Sequence, residues 1–383
     1  MLTVAGALCL SIWLYLFFAH GRFWRTGALM LPMQRGATHP ARIAAVVPAR
    51  NEADVVGRSM TSLLGQTGGQ SVHVFLIDDG SDDGTTEVAL EAARTVGKSE
   101  HLTVIRGRPL IPGWSGKLWA VEQGVEQAVE QRPDFFLLTD ADIVHAPDEV
   151  VRLAAIADRC AYDLVSCMVK LQCDTFAERA LIPAFVFFFL KLYPPRWISD
   201  PGRKTAGAAG GCMLLRPAAL ERVGGIAAIR GEVIDDCALA RRIKGSGGRV
   251  WLGLAAETKS IRPYGSFSVI GRMISRGAFN QLKHSTVLLL LALLGLTITY
   301  LLPPALVVFS HRWLPGILAA AAWALMMLCF LPTLRLYRLS PLWALALPGI
   351  ALFYMVATLD SAFRFWKGLG GEWKGRIQDP TQL

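Results

Sequence analysis

Three stretches near the C-terminus, residues 285–310, 313–334 and 339–359, contain no charged residue. Each is long enough to cross a bilayer, which takes about 20 apolar residues. A chain carrying them cannot bury everything in one globular core. Residues 2–19 are also uncharged and rich in Leu, Phe and Ala, and a run of that length just spans. Arg22, Arg25, Arg35 and Arg42 follow, and no acid precedes Glu52. Basic residues stay on the cytoplasmic side, so the next block is expected in the cytoplasm. A cleaved signal peptide would need a basic leader and a clear small-residue cleavage site. His311-Arg312 and then Arg335 and Arg338 separate the C-terminal stretches. If Arg335 and Arg338 face the cytoplasm, the tail with Arg364, Lys367, Lys374 and Arg376 lies outside, against the positive-inside rule. A re-entrant or interfacial last segment would resolve that conflict. Residues 180–193 are apolar but short and contain Pro183 and Lys191. They read as a helix lying in the interface, with a core helix as the alternative.

The net charge of +9 points to an anionic partner, either a membrane surface or a phosphate-bearing substrate. No Lys/Arg block is interleaved with aromatics, which argues against nucleic acid. The seven cysteines form no C-x-x-C pair. Zinc and a disulfide framework are therefore not expected, and a reducing compartment fits.

Between the membrane pieces, residues 40–265 read as α/β. Apolar strands are expected at 43–47, 73–77, 102–105 and 135–138, and helices at 52–64, 85–96 and 119–131. That alternation predicts a mostly parallel sheet flanked by helices, with right-handed crossovers. Two strands end on acids: Asp78-Asp79-Gly80-Ser81, and Thr139-Asp140-Ala141-Asp142 about sixty residues later. Ligands bind beyond the carboxyl ends of such strands, so both clusters belong to one crevice. An Asp-x-Asp pair there can hold a divalent metal, and the metal a diphosphate.

Other polar sites fall at similar turns. Pro48-Ala49-Arg50-Asn51-Glu52 leaves the first strand, where it can read a base or ribose edge or simply cap a helix. Asp78 or Asp79 can accept hydrogen bonds from ribose hydroxyls or a base N–H. Lys117, in Gly113-Trp114-Ser115-Gly116-Lys117, can meet a phosphate as a point charge, although this is no P-loop. Gly210, Gly211 and Cys212 close a small-residue stretch that lets backbone approach a ligand. Asp235 and Asp236 open a short helix. A carboxylate held there can take a proton from a hydroxyl nucleophile. Arg272 and Arg276 lie four apart on an expected amphipathic helix at 266–284, suited to a diphosphate or to lipid head groups.

Taken in order, PARNE (48–52), DDGSDDGT (78–85), DAD (140–142), AGGC (209–212), IDDCAL (234–239) and Arg276 resemble an inverting family-2 glycosyltransferase of the GT-A fold. The flanking membrane segments and PGWSGKLWA (112–120) resemble its hopene-associated branch. The resemblance implies that Pro48, Ala49, Arg50, Glu52, Asp78, Asp79, Lys117, Asp140 and Arg276 contact a UDP-sugar. It implies Asp142 as the ligand of Mg²⁺ or Mn²⁺ and Asp236 as general base. Gly210, Gly211, Cys212 and Asp235 would lie toward the acceptor, with Asp235 standing where the family has Glu. Gly277 stands where the family's Q-x-x-R-W motif has tryptophan, which argues against processive polymer synthesis. The expectation is a multi-pass protein of the inner membrane, its α/β domain facing the cytoplasm, that glycosylates a lipid hydroxyl, a hopanoid by this resemblance. A non-catalytic scaffold and a polymer-exporting synthase are the rivals. Neither the sugar nor the oligomeric state is legible.

Overall fold

The computed structural model describes residues 1–30, 41–69, 71–369, 372–373 and 376–377. Arg35 and Lys374 lie outside the described residues. The chain runs α1 (Leu2–Phe18), β1 (Arg42–Ala49), α2 (Val56–Leu64), β2 (Ser71–Asp78), α3 (Thr85–Thr95), β3 (Leu102–Arg106), α4 (Gly116–Val129) and β4 (Phe135–Thr139). It continues with β5 (Ile143–Val144), α5 (Glu149–Arg159), β6 (Leu164–Lys170), α6 (Phe176–Leu192), α7 (Pro195–Ser199), β7 (Cys212–Leu215), α8 (Pro217–Arg222), α9 (Asp235–Gly245) and β8 (Val250–Ser260). After these come α10 (Phe267–Gln281), α11 (Thr286–Leu296), α12 (Leu302–Phe309), α13 (Trp313–Leu336), α14 (Leu347–Trp366), β9 (Glu372–Trp373) and β10 (Arg376–Ile377). The chain divides into two compact units. One contains Met1–Ala28, Cys173–Arg196 and the helices after Pro263; the other contains Leu29–Gln172 and Trp197–Arg262.

The second unit is built on an eight-stranded sheet ordered β3-β2-β1-β4-β7-β6-β8-β5. β1 pairs in parallel with β2 and β4, β2 with β3, and β6 with β8. β7 runs antiparallel to both β4 and β6, and β5 antiparallel to β8. The mostly parallel α/β sheet expected from the sequence is the one observed. β1 and β4 are buried along nearly their whole length, as strands covered on both faces should be. Gly124 lets α4 lie close on the sheet: a Cβ there would meet Ile77 Cδ1 and Val46 Cγ1 at 2.5 Å. β1 lies between β2 and β4, so the chain winds away from it in both directions. That is the switch point at which open α/β sheets place their ligands.

In the first unit, Thr286–Phe309, Trp313–Leu336 and Pro341–Trp366 are long and apolar enough to cross a membrane. The last of them is, by length and composition, a full-length candidate. α1 is an apolar helix of 17 residues, at the lower end of spanning length. α6 is also not an interface helix: it buries Leu181, Ile182, Ala184, Val186, Phe187 and Leu190, leaving no single apolar face for lipid. Its start is a capping box, in which Thr175 Oγ1 accepts from Glu178 N and Glu178 accepts from Thr175 N. Glu178 Oε1 also accepts the N–H groups of Tyr264 and Gly265, at 2.8 and 3.0 Å. Burial works to raise this carboxyl, but those N–H groups and those of Asp174 and Thr175 hold it down at about 2. α10 is amphipathic as expected: Ile270, Ile274 and Phe279 are buried, while Arg272 and Arg276 are exposed.

The first long span is interrupted by a π-helical turn, Thr297–Leu301, just before Pro303 and Pro304. A proline has no N–H for the carbonyl four residues back. For Pro303 that carbonyl is Thr299 O, and the Trp13 indole N–H donates to it at 2.8 Å. The Cys9 thiol lies 3.4 Å from Ile298 O, the neighbouring carbonyl. α1 thus serves backbone that the span's own ladder leaves open, which apolar surroundings require.

Candidate active site

The turn after β1 and the acidic loop after β2 are laced together. Asn51 takes φ +52°, a left-handed conformation that asparagine tolerates better than most residues. From there its N–H donates to Ser81 Oγ at 3.0 Å, and its side-chain oxygen accepts from Asp82 N at 3.1 Å. Glu52 N donates to Thr85 Oγ1 and Ala53 N to Asp83 Oδ2. The Arg50 guanidinium donates to the Asp79 carbonyl and lies 3.9 Å from its carboxylate. The helix expected from residue 52 therefore begins at Val56, because these four residues form the turn. Asp78 shapes the acidic loop, accepting from Ser81 N and from the Thr86 hydroxyl at 2.8 and 2.6 Å. Asp79 and Glu52 are buried behind the turn.

The second group lies around Lys117. Ser115 caps α4 by accepting from Leu118 N, which places Lys117 in the first turn. Its ammonium meets Asp140 Oδ1 at 2.9 Å and Asp235 Oδ2 at 3.2 Å. Burial works against the charged ammonium, but Asp140 and Asp235 more than offset it and the pKa is raised. Asp236 follows at the start of α9, with Oδ2 accepting from Gly210 N at 2.8 Å and Oδ1 from Cys237 N at 2.7 Å. Burial and the adjacent Asp235 push its carboxyl up to about 6, against the pull of Lys117 and the two N–H groups. A small crevice opens here, lined by Pro48, Lys117, Asp140, Gly210 and Asp235 among others. Four segments far apart in sequence thus meet at the carboxyl edge of the sheet.

A Cβ at Gly210 would stand 3.3 Å from Asp236 Oδ2 and 3.6 Å from Lys117 Nζ, so the carboxylate would have to yield slightly to admit it. Gly210→Ala is expected to displace the carboxylate and lower the rate of any proton transfer by about 10–100-fold. Its melting temperature should change little; turnover and thermal unfolding measured side by side check this. Gly211 O accepts from the Thr139 hydroxyl at 2.8 Å, and that hydroxyl lies 3.0 Å from His145 Nε2. These bonds tie the small-residue stretch to the loop after β4. Cys212 is fully buried on β7 among core side chains, so its thiol does not face the crevice.

Asp142 brings in a residue that the sequence did not point to. Its Oδ2 accepts from the Ser260 hydroxyl at 2.8 Å and lies 3.3 Å from Arg262 Nε. The same guanidinium is ion-paired with Glu52. Arg262 lies just past β8, so one cation joins the loops after β1 and β4. A lone arginine 210 residues from Glu52 and far from Asp142 gives no local signal, and the strand that delivers it was not legible. Arg276 lies on α10 in the other unit.

The mostly parallel sheet carries acids and a raised carboxyl at its carboxyl edge, where open α/β sheets bind their ligands. Residues 40–280 match the family model described as glycosyltransferase like family 2, and the chain belongs to that family. It is similar to an undecaprenyl-phosphate 4-deoxy-4-formamido-L-arabinose transferase of Edwardsiella ictaluri, 29% identical over 36% of this chain and 40% of that one. The corresponding transferase of Klebsiella pneumoniae is 32% identical over 32% of this chain and 36% of that one. The chain thus matches less than half the length of these curated relatives. A mannosyltransferase from Pyrobaculum calidifontis, solved with GDP-Man and Mn²⁺, superimposes with a TM-score of 0.57 over 95% of this chain and 99% of that one at 17% identity. That likeness concerns the fold, and it agrees with the GT-A-type sheet.

Proposed function

We propose that this protein transfers a sugar, with inversion, from a UDP-sugar to the hydroxyl of a membrane lipid such as a hopanoid. The observation that carries the reading is Asp236: a carboxylate fixed by Gly210 N–H and raised to about 6 beside a crevice. A general base is most useful when its pKa lies near the working pH. A lipid hydroxyl needs such a base, whereas a lipid phosphate arrives already ionised. The acceptor oxygen attacks the anomeric carbon, the bond from that carbon to the diphosphate breaks, the hydroxyl proton passes to Asp236, and UDP leaves. The turn from Pro48 to Glu52 with Asp78 and Asp79 would hold the nucleoside. Lys117 and Asp140 would lie toward the diphosphate and sugar, Asp235 and Gly211 toward the acceptor. The arginine pair Arg272 and Arg276 on α10 would engage diphosphate or head groups.

The donor set fits a hard dication. Asp140 and Asp142 offer carboxylate oxygens on one loop, and Mg²⁺ commonly takes one or two carboxylates plus substrate phosphates and water. Among the described residues no group of three or more His, Cys, Asp or Glu side chains could hold a metal unaided. Mg²⁺ or Mn²⁺ on Asp142 would stabilise the charge that builds on the leaving diphosphate. The names of the relatives, which act on a lipid phosphate, and the GDP-Man and Mn²⁺ of the structural neighbour support a membrane acceptor and a metal-bound nucleotide donor.

The test is transfer of labelled sugar by the purified protein in nanodiscs, with hydroxylated hopanoid and polyprenyl phosphate offered side by side. Label on the hydroxyl lipid, abolished by EDTA, is expected; label on the phosphate alone would overturn the acceptor assignment. A second expectation concerns placement at the inner membrane with the α/β unit in the cytoplasm. A reporter inserted near Lys98 should be active there, and periplasmic activity would remove the supply of nucleotide-sugar.

A further inference from the structure

The acids expected to meet a metal-bound diphosphate are engaged by the chain's own cations. Lys117 lies on Asp140, and Arg262 lies on Asp142 and Glu52 together. The guanidinium is a planar fork that suits carboxylates and phosphates equally. Its side chain keeps 31% exposure at the rim, so it can turn toward an arriving ligand. Ser260 Oγ donates to Asp142 Oδ2 at 2.8 Å, and Ile261 N donates to Asp142 O at 2.9 Å. The end of β8 is therefore strapped to the acidic loop, and Arg262 cannot drift away as a free surface residue would.

Glu52, Asp142 and Arg262 together carry one net negative charge. A bare diphosphate would meet repulsion there. A bare dication would have to displace Arg262 from Asp142. With both present, Asp142 would hold the dication and Arg262 would be released to the phosphate oxygens, so each ligand would meet a charge of opposite sign.

We propose that Arg262 is a diphosphate-binding residue that neutralises Asp142 and Glu52 until a nucleotide arrives, so that the divalent cation and the nucleoside diphosphate each bind more tightly when the other is present. This rests on the donor reading above. Coupling of this kind is reciprocal: each ligand strengthens the other by the same factor.

The experiment titrates Mn²⁺ into the full-length protein in detergent, followed by electron paramagnetic resonance, with and without UDP, and with GDP as a second probe. In the wild type, UDP should tighten Mn²⁺ by about tenfold or more. In Arg262→Gln, Mn²⁺ alone should bind more tightly than to wild type because Asp142 is released. UDP should lose most of its effect in that variant. Arg262→Lys keeps the charge but cannot span both acids, and should fall between the two. Independent binding of Mn²⁺ and UDP by the wild type, a measurement that needs no variant to fold, overturns the inference and leaves the transferase reading in place. Equal coupling in wild type and a folded Arg262→Gln overturns it as well. A wild type that binds neither nucleoside diphosphate under any condition removes both readings.

Discussion

Asp236→Asn is expected to lower kcat by about 10²–10⁴-fold, the range that general-base catalysis typically supplies, with nucleotide affinity little changed. The amide keeps the shape of the carboxyl and can still accept from Gly210 N, at 2.8 Å in the native chain, but it cannot take a proton. Asp235→Asn should do less, because that carboxylate meets Lys117 at 3.2 Å and acts through it. Transfer rate and UDP affinity measured on both variants decide the matter. If Asp235→Asn is the dead variant while Asp236→Asn still turns over, the base lies one residue earlier. In the wild type, the rate should rise with pH through about 6 and level off above it. Below that value Asp236 holds a proton and cannot accept another.

Lys117→Met is expected to damage both stability and rate. It leaves Asp140, Asp235 and Asp236 close together without the ammonium that separates them. The pairs are only half-buried, so removing one partner is expected to cost about 1 kcal/mol. Lys117 also holds Asp236 below where burial alone would put it. Its removal should therefore move the rising limb of the pH–rate profile to higher pH, in addition to lowering the plateau. A variant with a lowered melting temperature and an unmoved limb would show that Lys117 only supports the fold.

The first half of the sheet was legible because its strands are short, apolar and separated by helices of ordinary length. β1 to β4 fall where the pattern put them, and the acids that end β2 and β4 follow directly. The second half was not. β7 has four residues behind a run of small ones and reads as a loop, and in β8 the apolar run gives way to Glu257, Lys259 and Ser260. β7 also enters antiparallel between β4 and β6, which an alternation of strands and helices cannot announce. That loss hid Arg262, since its place depends on where β8 ends. Lys117 was visible as a candidate, but its role between two acids was not, because Asp140 and Asp235 lie nearly a hundred residues apart, one on a loop and one opening α9. α6 misled for a different reason: seventeen apolar-rich residues look alike whether lipid or protein surrounds them.

The indole of Trp13 reaching the Thr299 carbonyl gives α1 a use that anchoring would not require. Any sufficiently greasy segment can moor a domain to a bilayer, and such segments are interchangeable. A helix whose indole stands in for the N–H missing at Pro303 is not interchangeable in that way. An unsatisfied carbonyl in hydrocarbon costs several kcal/mol. Swapping residues 2–18 for a generic anchor would keep the protein in the membrane and still leave a broken span with nothing to complete it. Two side chains near the start of the chain thus complete backbone nearly three hundred residues away.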